Sequence, residues 1–66
     1  MKIQYLAEDI PLSLTSGKIY DVIDLEKGPD LISGKGEADW LRIVDDTEED
    51  YLYQLIEGRH YKVIEN

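Results

Sequence analysis

The apolar residues of this chain fall in short runs, and no run continues at helical spacing. Each run is about four to eight residues long, is rich in Ile, Val, Leu and Tyr, and is bounded by Gly, Pro, Asp or Ser. Short apolar runs with such borders are typical of β-strands, whereas a helix needs a longer segment with apolar residues every three or four positions. The pattern therefore predicts an all-β chain.

The length leaves room for one small core. A chain of 66 residues is shorter than most domains, so we expect a single domain over 1–66. Area scaling predicts that it buries about 60% of its unfolded surface, for a stability on the order of 5 kcal/mol. With no cysteine, it has no disulfides, thiolate zinc sites or cysteine nucleophiles, and a reducing, cytoplasmic location is expected.

The net charge and the N-terminal sequence restrict the binding partners that this chain can have. Fifteen acidic residues against seven basic ones give a net charge of -8. This balance disfavours nucleic-acid binding, which depends on Lys and Arg at phosphates, and we expect no affinity for duplex DNA. The first residues lack the apolar run of a signal peptide or a spanning helix, so a soluble chain without a membrane partner is expected.

Strand and loop segments alternate along the chain. Between the first two strands, Glu8, Asp9 and Pro11 interrupt pairing and Gly17 favours a turn. The Gly-rich segment 27–37 is predicted to be a loop. The five predicted strands are 2–6, 18–25, 40–45, 50–55 and 60–64.

The acidic segment 45–50, DDTEED, is the strongest hairpin signal. An even loop centred on Thr47 and Glu48 sets the register of the flanking strands. The predicted facing pairs are Val44 with Tyr51, Ile43 with Leu52, and Arg42 with Tyr53. A cation–π contact between Arg42 and Tyr53 is expected from this register.

Alternation along the hairpin separates two faces. The aliphatic face, with Leu41, Ile43 and Leu52, is predicted to be the core, because Trp and Tyr place their polar tips near water. The other face has Trp40, Arg42, Val44, Tyr51 and Tyr53. With five short strands, we predict a small, strongly bent five-stranded barrel, because closure removes the exposed edges of a flat sheet.

Several segments resemble Src-homology-3 domains. LSLTSGKIYDVIDLEKG is similar to the exit from their first long loop, ADWLRIV to their Trp-bearing third strand, and GRHYKVI to the turn before their last strand. YLAEDIPLSLTSGKIYDVIDLEKG followed by RIVDDTEEDYLY is similar to short, uncharacterised proteins of Gram-positive bacteria and their mobile elements. The resemblance implies a Src-homology-3-like barrel and brings no established activity.

The resemblance extends to part of the polyproline groove. Trp40 and Tyr61 match the groove tryptophan and tyrosine of Src-homology-3 domains. Ala7 and Asp9 stand where the family has aromatic residues, and Gly58 replaces the groove proline. Because a polyproline II helix is recognised by a groove lined with several aromatic side chains, binding of proline-rich peptides is not expected.

The residues that could carry chemistry have simpler interpretations. DDTEED lacks the spacing of a calcium loop and is predicted to be a solvated hairpin tip. His60, the only histidine, is predicted to be a partly exposed strand residue, so no metal site is expected. Ser13 and Ser16 lack a nucleophile motif, and the GKG segment 34–36 lacks the features of a phosphate loop. No enzymatic activity and no cofactor are predicted.

One constellation has the composition of a binding site. Aromatic residues and Arg are enriched in interface hot spots. The predicted partner-binding residues are Trp40, Arg42, Tyr51, Tyr53 and Tyr61, the last through the resemblance. The alternative is a second small core under one of the loops. The preferred function is binding of a protein partner, or of a second copy of the chain; the alternative is an acidic decoy that occupies a nucleic-acid-binding site on another protein.

Overall fold

A computed structural model describes residues 1–8 and 13–66, and these residues form an antiparallel sheet of five strands without a helix. The strands are β1 (Lys2–Tyr5), β2 (Ile19–Pro29), β3 (Glu37–Val44), β4 (Asp50–Tyr53) and β5 (Tyr61–Glu65). Their order across the sheet is β4-β3-β2-β1-β5. The all-β prediction is confirmed. The sheet is not closed, because β4 and β5 form its two edges.

The long strand β2 is shared by two halves of the sheet. Its first residues pair with β1, while Val22 to Pro29 pair with β3. The register shifts between Val22 and Asp24, so Ile23 is an extra residue opposite β3. Such a bulge bends a strand and increases its twist, and it leaves Ile23 57% exposed. The bend lets β2 pair with β1 in one half of the sheet and with β3 in the other.

The β2–β3 hairpin is longer than the sequence predicts. β2 continues to Pro29 and β3 begins at Glu37, so the predicted loop 27–37 is reduced to residues 30–36. Gly28 pairs with Ala38 and Pro29 with Glu37. Pro is tolerated at this position because it lies at the end of the strand.

The Asp30 side chain organises that shorter loop. Its Oδ1 accepts hydrogen bonds from the backbone N–H groups of Ser33 and Ile32 and from the Gln54 side chain, at 2.7 to 3.0 Å. These bonds favour the carboxylate and lower the pKa of Asp30 to about 2, with the Ser33 bond as the largest cause. The loop is thereby tied to the chain beyond β4.

The β3–β4 hairpin has an odd loop instead of the predicted even one. Asp45 N–H donates to Glu49 O, Glu48 N–H donates to Asp45 O, and Glu48 has a φ of 64°. This is a type I turn followed by a left-handed residue, a common three-residue hairpin loop. The observed pairs are Leu41 with Tyr53, Arg42 with Leu52, Ile43 with Tyr51, and Val44 with Asp50.

The odd loop reverses the faces of β4. A shift of one residue moves every side chain of a strand to the opposite face. Tyr53 is consequently buried opposite Leu41, and Leu52 is 36% exposed opposite Arg42. The predictions of Leu52 in the core and of Tyr53 facing Arg42 are therefore wrong.

Glu48→Gly should raise the free energy of unfolding by about 0.5 to 1 kcal/mol. Positive φ costs a non-glycine residue about 1 to 2 kcal/mol, which Gly avoids at the expense of a more flexible unfolded chain. Urea denaturation followed by circular dichroism measures the change. Glu48→Ala, which keeps a Cβ, is the control and should change stability little. A destabilised Glu48→Gly variant would contradict the observed turn.

The core lies between the two halves of the sheet. Leu41 and Ile43, predicted to be core residues, are 1% and 0% exposed, which confirms their assignment. The buried hydrophobic residues are Ile3, Tyr5, Leu14, Tyr20, Val22, Leu41, Ile43, Tyr53, Leu55 and Tyr61. Six different segments of the described chain contribute, so the core depends on contacts between distant residues.

The connection between β1 and β2 is described only in part. Asp9 and Pro11, predicted to interrupt pairing, lie outside the described residues. Leu14 is buried, and Gly17 has a φ of 86° and donates its N–H to Tyr5 O at 2.6 Å, as a turn at Gly17 requires. In the described part of the chain, no helix is long and apolar enough to cross a membrane.

Candidate functional site

Trp40 lies on the outer face of the sheet, the face turned away from the core. It stands opposite Glu26 on β2 and is half-buried. Its indole Nε1 donates a hydrogen bond to Pro29 O at 3.0 Å. Strand alternation sends Leu41 into the core and Trp40 outward, so the predicted partial exposure of Trp40 is confirmed.

The indole covers Gly28. A Cβ built on Gly28 would lie 2.9 Å from Trp40 Nε1 and 3.0 Å from Cδ1. Only a residue without a side chain admits the ring in this position. Gly28 and the bond to Pro29 O therefore hold the indole flat against β2.

Gly28→Ala should displace the indole and shift Trp40 emission to longer wavelength, with more quenching by acrylamide. The new methyl group overlaps the ring, and the expected loss of stability is about 1 kcal/mol, at the low end for overpacking because the indole can rotate outward. Trp40 is the only tryptophan, so the signal is unambiguous. Lys62→Ala, at an exposed position on the distant edge strand β5, is the control. Unchanged emission in Gly28→Ala would contradict the contact.

An apolar cavity adjoins the indole. It has a volume of about 270 Å³ and is lined by Glu26, Lys27, Gly28, Pro29, Trp40 and Leu52. Leu52 is a functional candidate that the sequence-based register placed in the core. We call this surface, with Gly28, Pro29, Trp40 and Leu52, the Trp40 face.

Arg42 forms the charged border of the Trp40 face. Its Nε donates to Glu26 at 2.9 Å and a terminal nitrogen donates to Asp50 at 3.1 Å. The bonds to Glu26 and then Asp50 raise the pKa of the guanidinium. Arg42 is thus held between two carboxylates and does not stack on Tyr53, which makes the predicted cation–π contact wrong.

The three tyrosines predicted for the site occupy different surroundings. Tyr53 is 9% exposed and its hydroxyl donates to Asp45 Oδ2 at 2.7 Å; burial and that carboxylate raise its pKa. Tyr51 is 50% exposed and donates to Glu49 at 2.6 Å. Tyr61 is buried opposite Tyr5. Of the predicted site residues, only Trp40 and Arg42 share the outer face.

The acidic hairpin tip is partly built into the fold. Asp45 is 5% exposed, and besides Tyr53 it accepts hydrogen bonds from the backbone and the hydroxyl of Thr47. These bonds, that of the Thr47 hydroxyl first, lower the pKa of Asp45. The prediction of a solvated tip is wrong for Asp45, because its carboxylate satisfies polar groups that folding removes from water.

Asp46 connects the hairpin tip to the start of β2. Its carboxylate accepts hydrogen bonds from Lys18 at 2.6 Å, Thr15 at 2.8 Å and Tyr20 at 2.9 Å. Lys18 is the largest cause that lowers the pKa of Asp46. This carboxylate is structural as well, since it bridges residues more than 25 positions apart in sequence.

His60 and the serines have structural contacts. His60 is 8% exposed, in the turn before β5, and its Nδ1 accepts a hydrogen bond from Ile56 N–H at 2.9 Å. The prediction of a partly exposed strand residue is therefore wrong. Ser16 Oγ donates to Leu6 O at 3.3 Å, and Ser13 O accepts from Asp46 N–H. No group of three potential metal ligands occurs among residues 1–8 and 13–66.

Comparison of the whole chain with protein-family models, with curated proteins and with solved structures finds no match.

Proposed function

We propose that this chain is a non-enzymatic interaction module, a small Src-homology-3-like barrel that binds a protein partner through the Trp40 face. Barrel-like curvature is supported by the strand order and by the bulge at Ile23, which bends β2 so that both halves of the sheet share it. A flat five-stranded sheet has no need for such a bend.

The fixed indole of Trp40 is the observation that supports a binding surface. A tryptophan that is already ordered loses little conformational entropy on binding, and rigid aromatic residues are frequent hot spots. The neighbouring cavity of about 270 Å³ accepts an apolar side chain beside the ring and Leu52. Around it, Glu26 and Asp50 outnumber Arg42, and the chain carries a net charge of -8. The expected ligand is an apolar side chain flanked by Lys or Arg.

Selection of peptides from a display library by the immobilised protein tests the proposal. Enriched peptides should combine a large apolar residue with basic neighbours, and their binding should change Trp40 fluorescence. Trp40→Ala and Leu52→Ser should each weaken binding at least about tenfold, as hot-spot truncations do. Glu48→Ala, at the hairpin tip, is the control. Equal binding by all variants, with circular dichroism showing that each is folded, would overturn the proposal.

The acidic decoy is the second candidate, and the net charge of -8 is the observation that favours it. A decoy binds a basic, nucleic-acid-binding protein mainly through long-range charge, which salt screens. Its affinity should collapse between about 0.15 and 1 M salt and should not depend on Trp40. Binding through the Trp40 face should retain most of its affinity at the higher salt concentration, because burial of apolar area dominates it.

A further inference from the structure

A groove lies between the β2–β3 hairpin and the segment that leads from β4 into β5. One end is a cavity of about 380 Å³ beside the β2–β3 loop, with Ile32, Ala38 and Ile56 among its walls. The other end is a cavity of about 420 Å³ beside Leu25 and Val63. Both cavities are lined by Asp39, Glu57 and Tyr61, so they are two ends of one surface, which we call the Tyr61 groove.

Tyr61 carries an unused hydroxyl in this groove. The residue is 9% exposed, and its hydroxyl makes no hydrogen bond with any residue of the described chain. After burial, the charges of Glu57 and Asp39 are the causes that raise its pKa, and both residues line the same two cavities as Tyr61. The hydroxyl is open to the groove, where a ligand can supply it with a hydrogen-bond partner.

The two carboxylates of the groove are weakly neutralised. Asp39 pairs with Lys27 at 2.7 Å, but both side chains are about two-thirds exposed, at 67% and 69%. Exposed pairs of this kind contribute little and rearrange at low cost. Glu57 has no Lys or Arg within ion-pair distance in the described part of the chain. The groove therefore combines apolar ends with an excess of negative charge at its centre.

We propose that the Tyr61 groove binds an extended segment of a protein partner, with an arginine side chain between Asp39 and Glu57 and apolar side chains in the two cavities. A guanidinium fits because it is planar, stacks on aromatic rings and donates to two carboxylates at once. Apolar side chains on either side of the arginine would cover Leu25, which is 58% exposed, and Ile32, which is 47% exposed.

This surface is separate from the Trp40 face. Asp39 and Trp40 are neighbours on β3, and alternation directs their side chains to opposite faces of the sheet. The inference therefore goes beyond the proposed function, and failure of one leaves the other in place.

Titration of the ¹⁵N-labelled chain with a blocked peptide tests the proposal. The peptide has one arginine between two leucines, and a second peptide has citrulline, a neutral side chain of the same shape, instead of arginine. The arginine peptide should shift the amide signals of Asp39, Glu57 and Tyr61. The citrulline peptide should bind at least about tenfold more weakly, because it lacks the charge-assisted bonds. Equal affinity of the two peptides would overturn the proposal.

Matched variants distinguish binding at the Tyr61 groove from nonspecific attraction by the net negative charge of the chain. Glu57→Gln should weaken the arginine peptide about five- to tenfold, through loss of one charge-assisted hydrogen bond. Glu48→Gln removes the same charge at the hairpin tip and should change affinity less than about twofold, because exposed distant charges are screened. Trp40→Ala should leave unchanged the affinity that is measured from the signals of Asp39, Glu57 and Tyr61. Equal weakening by Glu48→Gln and Glu57→Gln, or signal shifts confined to the Trp40 face, would contradict the proposal.

Discussion

Ile43→Ala should lower the free energy of unfolding by about 2 to 5 kcal/mol, which is enough to unfold much of the protein. Ile43 is completely buried between Val22 on β2 and Tyr51 on β4. The substitution removes buried apolar area and leaves a cavity. The neighbouring side chains cannot relax into it, because several paired strands hold them in place. Urea denaturation, followed by circular dichroism and by Trp40 fluorescence, measures the loss.

Two graded variants accompany this measurement. Ile43→Val removes a single methyl group and should cost about 0.5 to 1.5 kcal/mol. Glu48→Ala removes an exposed side chain at the hairpin tip and should have little effect. If Glu48→Ala destabilised the protein more than Ile43→Ala did, the assignment of the inner face of β3 would be wrong.

Tyr53→Phe should cost about 1.5 to 3 kcal/mol, the usual range for a hydrogen bond to a charged group. The change removes the hydroxyl that donates to Asp45 Oδ2 at 2.7 Å and leaves a buried carboxylate with one partner fewer. Asp45→Asn should cost at least as much, since it also weakens the bonds from Thr47. Chemical denaturation at pH 7 measures both variants.

The effect of Asp45→Asn should depend on pH. The folded state lowers the pKa of Asp45 below its ordinary value of 3.8, first through the Thr47 hydroxyl. The carboxylate therefore contributes stability above pH 3.8 and loses it as the pH falls through the lower, folded-state pKa. The gap in stability between wild type and Asp45→Asn should be largest near neutral pH and should shrink in acid.

Asp21→Asn is the matched control for this pH series. Asp21 is exposed and lies 3.7 Å from Lys2, so its replacement should change stability little at any pH. A constant gap between wild type and Asp45→Asn from neutral pH to pH 2 would contradict a structural role of the Asp45 carboxylate.

These contacts also position the surface around Trp40. Because Tyr53 points inward to Asp45, Leu52 points outward and joins the wall of the cavity beside the indole. The register of one hairpin thus decides which side chains form the Trp40 face.

Local pattern was sufficient for the all-β class and for the two faces of β3. Alternation of apolar and polar residues along β3 predicted that Leu41 and Ile43 are buried and that Trp40 is not. It could not predict where Arg42 finds its partners, because Glu26 and Asp50 become its neighbours only through the pairing of β3 with both adjacent strands. The predicted Arg42–Tyr53 contact failed for that reason.

The sequence by itself determined an all-β chain with Leu41 and Ile43 in its core, because side-chain alternation within a strand is a local property. Only the tertiary structure decided the loop and the register of the hairpin. The acidic segment does not itself distinguish an even from an odd loop, and the odd loop places Glu48 at an unfavourable φ. With the odd loop, the buried Tyr53 donates to Asp45, and Asp46 accepts bonds from the distant Lys18 and Tyr20; these tertiary contacts favour the odd loop.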